Sequence, residues 1–236
     1  SDPNQGIASA EYMAANFADA TVGVIYKNDD NYSTGIFNKF KAEWEAEGKT
    51  VAAEETFTDG VTDFSAQLNS LKNAGVDVVF LPIYYDAASN ILTQADKMGY
   101  APKFFGCDGM DGILSMEGFD TSLAEGLMLL TPFTPYSEDA ESKAFTDAYQ
   151  EAYGELPIQF AADAYDCVYA IYDAFGKAGL DANASMEEIC EGLVAQFTGD
   201  FVASGITADE MKWNAKGEVE KTPKVCEIQD GKYVEK

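Results

Sequence analysis

The spacing of apolar and polar positions divides the chain into two stretches of different character. Over residues 5–19 apolar side chains fall at Ile7, Ala10, Met13, Ala14 and Phe17, which is a helical period. Residues 21–26 form a short continuous apolar run and predict a buried strand. Residues 34–47 return to helical spacing, with Ile36, Phe37, Phe40 and Trp44 on one side and Gly48 placed to end the helix. The alternation continues with a strand at 50–57, a helix from a Thr62–Asp63 cap to Asn73, and a strand at 76–84. A helix capped by Asp86 and running to Met98 follows, then a strand at 103–107, a short helix at 115–118 and a strand at 126–131. Strands that alternate with helices in this way predict βαβ units and a parallel sheet. The strands read as unbroken apolar runs, so both sheet faces must be covered, and the expected fold class is α/β with three layers.

At 131–136 two prolines within four residues mark a connector, and the pattern changes. Three amphipathic helices are predicted, at 137–153, 159–179 and 185–197, with no strong strand between them. The first carries Phe145, Ala148, Tyr149 and Tyr153 on one face, and the second carries Ala161, Ala164, Tyr165, Val168, Tyr172 and Phe175. Such stripes need a partner surface, either one another or a sheet supplied by another segment. Beyond residue 201 the pattern is of short strands and turns, with turn signals at 214–217 and 229–231.

Composition narrows the chemistry. Of 236 residues 47% are hydrophobic, enough for a sizeable core. Acidic residues number 41 against 15 basic ones, a formal charge of −26, and every cation is Lys. With no His and no Arg, imidazole-based nucleophile systems, His-ligated zinc and bidentate anion grips are excluded. Nucleic acid is not an expected partner, because a phosphate backbone is repelled by this field. No metal or cofactor is expected either, since no Gly-rich phosphate loop follows the first strand and no calcium-loop spacing occurs. The four Cys, at 107, 167, 190 and 226, read as small buried thiols, with a Cys167–Cys190 bridge as the open alternative. The opening Ser1-Asp2-Pro3 has neither an initiator Met nor a signal pattern, so a mature form or a piece of a longer protein is expected.

Ligands of open parallel sheets bind beyond the carboxyl ends of the strands. With strand order 2-1-3-4-5 the loops after strands one, three and four share one edge. They bring together Tyr32, Tyr84, Tyr85, Asp108 and Asp111. Aromatic walls with carboxylates suit a ligand bearing an ammonium group, through cation–π attraction and a charge-assisted hydrogen bond. For each residue taken singly a plainer role is available: a tyrosine packing the sheet edge, or Asp108 as a turn residue before Gly109.

Several segments resemble the branched-chain amino acid binding proteins, the type I periplasmic components of ABC transporters. They are the opening Ser-Asp-Pro-Asn-Gln-Gly, Val-Gly-Val-Ile-Tyr at 22–26 with Asn-Tyr-Ser-Thr-Gly at 31–35, and Thr-Asp-Phe-Ser-Ala-Gln-Leu at 62–68. Val-Asp-Val-Val-Phe at 76–80, Phe-Gly-Cys-Asp-Gly at 105–109, Trp-Asn-Ala-Lys-Gly at 213–217 and Asp-Gly-Lys at 230–232 continue the match in order. The resemblance implies a clamshell in which 1–131 is lobe two, 132–205 is a helical part of lobe one and 206–236 supplies closing strands and the hinge return. It implies that Asp108 takes the ligand's α-ammonium while Tyr32 and Tyr84 wall the pocket. It also implies that a stretch forming most of lobe one is missing, which leaves about half a site. The expected function is binding of an amino acid, or a similar small ammonium-bearing solute, outside the cytoplasm for delivery to a membrane permease. A ligand-sensing receptor domain and an α/β enzyme are the alternatives. Self-association through the helices of 137–197 is a further expectation.

Overall fold

The computed structural model describes the backbone of residues 1–236 and every side chain except that of residue 220. In chain order the elements are α1 (Asp2–Asn16), β1 (Val22–Lys27), α2 (Asn31–Ala46), β2 (Ala53–Phe57), α3 (Ser65–Asn73), β3 (Val78–Leu81), α4 (Tyr85–Lys97), β4 (Lys103–Gly106) and β5 (Met128–Thr131). Then follow α5 (Ala140–Tyr153), α6 (Gln159–Lys177), α7 (Met186–Phe197), β6 (Lys212–Trp213), β7 (Val219–Glu220), β8 (Lys224–Gln229) and β9 (Lys232–Glu235). The chain divides into two compact units: residues 2–131 with 223–236, and residues 132–222 with Ser1.

The first unit is built on one seven-stranded sheet in the order β2-β1-β3-β4-β5-β8-β9. Its first five strands are parallel, β8 pairs antiparallel with β5, and β9 pairs antiparallel with β8. Strand side chains alternate between faces, so Val22 and Val24, Val78 and Phe80, and Phe105 point to one side. There they meet Ala10 and Met13 of α1 and Ile36, Phe37, Phe40 and Trp44 of α2 in a single buried cluster. Phe40 is its centre, with ring centroids 4.3 Å from Phe80 and 5.6 Å from Trp44. Helix α3 covers the opposite face: a Cβ on Gly23 of β1 would lie 2.5 Å from Leu71 Cδ2. Three layers result, as the unbroken apolar strands require.

Helix starts differ from expectation where a side chain offers an earlier cap. Asp30, extended at φ −120° and ψ 127°, accepts the Tyr32 N–H, so α2 begins at Asn31 and not at 34. Asp86 is not a cap but stands in the first turn of α4, where its charge favours the helix N-terminus. Asp63 accepts from Ser65 N–H and Oγ, and α3 starts only at Ser65. The helix expected at 115–118 is replaced by 3-10 turns at Asp108–Met110, Ile113–Ser115 and Thr121–Ala124. The hairpin between β8 and β9 turns through Asp230 (φ 51°) and Gly231 (φ 70°), the pair of positive φ values that a two-residue turn of this hand needs.

In the second unit α6, α7 and the β6–β7 hairpin pack around Ala170, Ala174, Phe201, Ala203 and Met211, all buried, while α5 meets α6 through Phe145 and Tyr165, with ring centroids 5.0 Å apart. Trp213 stacks on Phe201 at 5.8 Å and meets Phe197 at 4.7 Å. The buried Asp166 accepts the backbone N–H groups of Ile206 and Thr207, both at 2.9 Å, and so ties α6 to that turn. The face of α6 that is covered is Ala162, Asp166, Ala170 and Ala174, whose small side chains let the 201–211 segment approach. The larger stripe stays open, with Val168 66% and Tyr172 73% exposed. One expectation, that of four buried thiols, is corrected: Cys107 and Cys226 are buried, Cys167 and Cys190 are exposed, and all four are free.

Candidate functional site

Strand β4 delivers the chain to the sheet edge at Gly106, and the backbone then tightens into the 3-10 turn Asp108–Met110. Asp108 and Gly109 are pinned from both sides. The Tyr32 hydroxyl donates to Asp108 Oδ1 at 2.6 Å and accepts the Gly109 N–H at 2.9 Å. The Asp108 N–H donates to Gln5 Oε1 at 2.9 Å. Tyr32 comes from the first turn of α2, and the Asp30 cap fixes where that turn begins. Tyr84, at the N-cap of α4, stacks on Tyr32 with centroids 4.7 Å apart and planes 27° apart. Glycine at 109 makes this possible, because a Cβ there would lie 2.7 Å from the Tyr32 hydroxyl and 3.1 Å from Tyr84 Cδ1.

Three residues singled out from the sheet edge therefore form one group: Tyr32, Tyr84 and Asp108. Tyr84 remains 43% exposed and presents its ring to solvent. Tyr85 stands apart from the stack, with its ring against Gly112. Asp111 is buried, accepts the Gly112 N–H at 2.9 Å and lies near Tyr233, away from the open edge. Gln5 was not singled out from the sequence. The signal was a polar residue one turn before Ser9 on the face of α1 that buries Met13.

The electrostatics are those of a crowded acidic edge. Burial raises the Asp108 carboxyl above the ordinary carboxylate value and the Asp2 charge adds to this, while hydrogen bonds from Tyr32, Gln5 and Gly109 oppose it. Burial raises the Tyr32 phenol well above its ordinary value, with Cys107 and Asp108 adding to the shift. Tyr84 is raised by burial and by Asp30, Asp108 and Asp2. Beside Tyr84 lies a cavity of about 370 Å³, bordered by Lys27, Asp30, Asp59, Asp86 and Asn90, in which Lys27 is paired with Asp59 at 2.8 Å. Among the described residues no group of three or more His, Cys, Asp or Glu side chains could hold a metal ion.

An aromatic stack beside a carboxylate held by neutral donors can receive a small cation, packing its apolar body on Tyr84 and its charge on Asp108. Several known proteins are similar to this chain. A leucine-, isoleucine-, valine-, threonine- and alanine-binding protein of Pseudomonas aeruginosa is 29% identical over 194 residues, covering 82% of this chain and 50% of that protein. The crystal structure of a leucine binding protein, LivK, from Thermotoga maritima superimposes with a TM-score of 0.83 at 27% identity, over all of this chain and 65% of the other. The branched-chain amino acid transporter substrate binding protein LivJ from Streptococcus pneumoniae, solved in complex with isoleucine, gives a TM-score of 0.82 at 28% identity, over all of this chain and 66% of that one. The chain spans about half the length of the curated relatives it matches. A family model described as periplasmic binding protein matches residues 1–211, and the chain belongs to that family.

Proposed function

We propose that this chain is the part of an extracytoplasmic solute-binding protein that receives the ammonium group of an amino acid of branched-chain type. The observation that carries the reading is the Tyr32–Asp108 hydrogen bond with Tyr84 stacked against it, a carboxylate oriented by a neutral donor beside an open aromatic face. Asp108 takes the ammonium, and Tyr32 and Tyr84 wall the pocket. Tyr85, on the first residue of α4, supports the same edge through the 109–112 loop. The group performs no bond making or breaking: its role is binding, and delivery to the permease of an ABC transporter follows. Residues 1–131 act as lobe two of a clamshell, 132–205 as helices of lobe one and 206–236 as closing strands and hinge return.

The test is calorimetric titration with a panel of amino acids, using this chain and the full-length protein side by side. Binding of a branched-chain amino acid by the full-length form, lost in Asp108→Ala, is the expected result. A full-length protein that binds none of the panel overturns the reading. If this chain alone binds as tightly as the full-length form, the division of the site between two lobes is wrong.

A further inference from the structure

Helix α1 reaches the site through two successive side chains one turn apart. Gln5, only 8% exposed, accepts the Asp108 N–H at 2.9 Å, and Ser9 Oγ lies 3.7 Å from Cys107 Sγ. The approach depends on Gly6, where a Cβ would collide with the Ile36 carbonyl oxygen and lie 2.8 Å from Phe40 N. The turn that bears the carboxylate is thus held at Asp108 by α1 and at Gly109 by Tyr32 of α2.

We propose that Gln5 is a positioning residue for ligand binding: its amide oxygen holds the Asp108 backbone so that the carboxylate is presented to the ligand's ammonium group. The inference rests on the reading of Asp108 given above. Without Gln5 the Asp108 N–H loses its acceptor in a half-buried turn, and the turn relaxes to find another. The groups facing Asp108 are Asp2 and Gln5 from α1, Tyr32 from α2, Tyr84 from the start of α4, and Cys107 and Gly109 beside it. Of these, Asp2 pushes the carboxyl toward its neutral form, while Gln5, Tyr32 and Gly109 hold it ionised.

Two variants separate positioning from space filling. Gln5→Leu keeps the volume and removes the acceptor. Gln5→Glu keeps the acceptor, loses the amide donor that helps hold the Asp108 carboxyl ionised, and sets a second charge beside it. In the full-length protein, carboxyl and amide NMR without ligand should show faster Asp108 amide exchange and a higher Asp108 titration midpoint in Gln5→Leu. Calorimetry with L-leucine as the probe should show affinity about tenfold weaker. Gln5→Glu should restore affinity at pH 8 to within about threefold and move the acid limb of binding upward in pH, because a neighbouring carboxylate favours the neutral form. Unchanged Asp108 exchange and titration in Gln5→Leu overturn the proposal, as does unchanged affinity in a protein that binds. If Gln5→Leu does not fold, the pH profile of Gln5→Glu decides, and an acid limb that stays in place is the contrary result. A protein whose Asp108 signals respond as expected but which binds no amino acid, wild type included, refutes the functional reading and leaves the positioning role intact.

Discussion

Replacing Tyr32 with Phe removes one oxygen and leaves the ring, so it isolates what the hydroxyl does. That oxygen makes two bonds: it donates to Asp108 Oδ1 at 2.6 Å and accepts the Gly109 N–H at 2.9 Å. A hydrogen bond to a charged group contributes about 1.5–3 kcal/mol, and a donor left without an acceptor costs about 1–3 kcal/mol. The two losses overlap, and water enters from the open side of Tyr84, so the expected destabilisation is about 2 kcal/mol. The sign of its pH dependence follows from Asp108. Its folded-state pKa lies above the ordinary 3.8, so the contribution of this carboxyl to stability is present below that value and is lost as pH rises through the raised one. The Tyr32 hydroxyl is one of the groups that limit the shift, so without it the titration moves further upward. Urea denaturation at pH 7 should show a lower midpoint at unchanged slope, and Asp108 carboxyl NMR should show a higher titration midpoint. An unchanged midpoint together with an unchanged Asp108 titration refutes the reasoning.

Asp108→Asn keeps an acceptor for Tyr32 and removes the buried charge, so it should raise stability at pH 7 relative to wild type while abolishing the amino acid binding proposed for the full-length protein; urea denaturation and calorimetry read the two effects, and lower stability counts against the assigned electrostatics. Gly6→Ala gains helix propensity but forces α1 away from Ile36 and Phe40, and the net loss should be about 1–3 kcal/mol by thermal unfolding, with faster exchange of the Asp108 amide. Phe40→Ala empties the centre of the first unit's core and should cost about 3–5 kcal/mol by urea denaturation; a loss under about 1 kcal/mol would mean the Trp44–Phe40–Phe80 stack is not the core.

How much of this could be read from the residues alone depends on the range of the interaction involved. The stripe Ile36–Phe37–Phe40–Trp44 and the runs at 22–25 in β1 and 78–81 in β3 are local patterns, and all are buried as their periods require. Tyr32, Tyr84 and Asp108 were accessible because one topological rule carries three loops to one edge. Gln5 was not, since its partner lies 103 positions away and the contact depends on how closely α1 crosses α2 at Gly6. Helix α6 shows a different limit. It has two apolar faces, one of alanines and one of large side chains, and hydropathy favours the larger. The alanine face is the covered one because it admits another backbone segment closely, and periodicity carries no information on that point.

The sheet of the first unit is completed late in the chain. β5 pairs with β8 only after residues 132–222 have been made, and Leu130 waits for Val225 across that interval. Closing so long a loop costs conformational entropy that grows only slowly with length, so equilibrium stability tolerates the interruption. Kinetics does not share that tolerance. During synthesis the five parallel strands stand finished with β5 as a bare apolar rim, its backbone donors and acceptors open to any strand that arrives. The β8–β9 hairpin, with its local Asp230–Gly231 turn, is the piece that seals it. A chain stopped at residue 222 should therefore be lost to aggregation sooner than to unfolding.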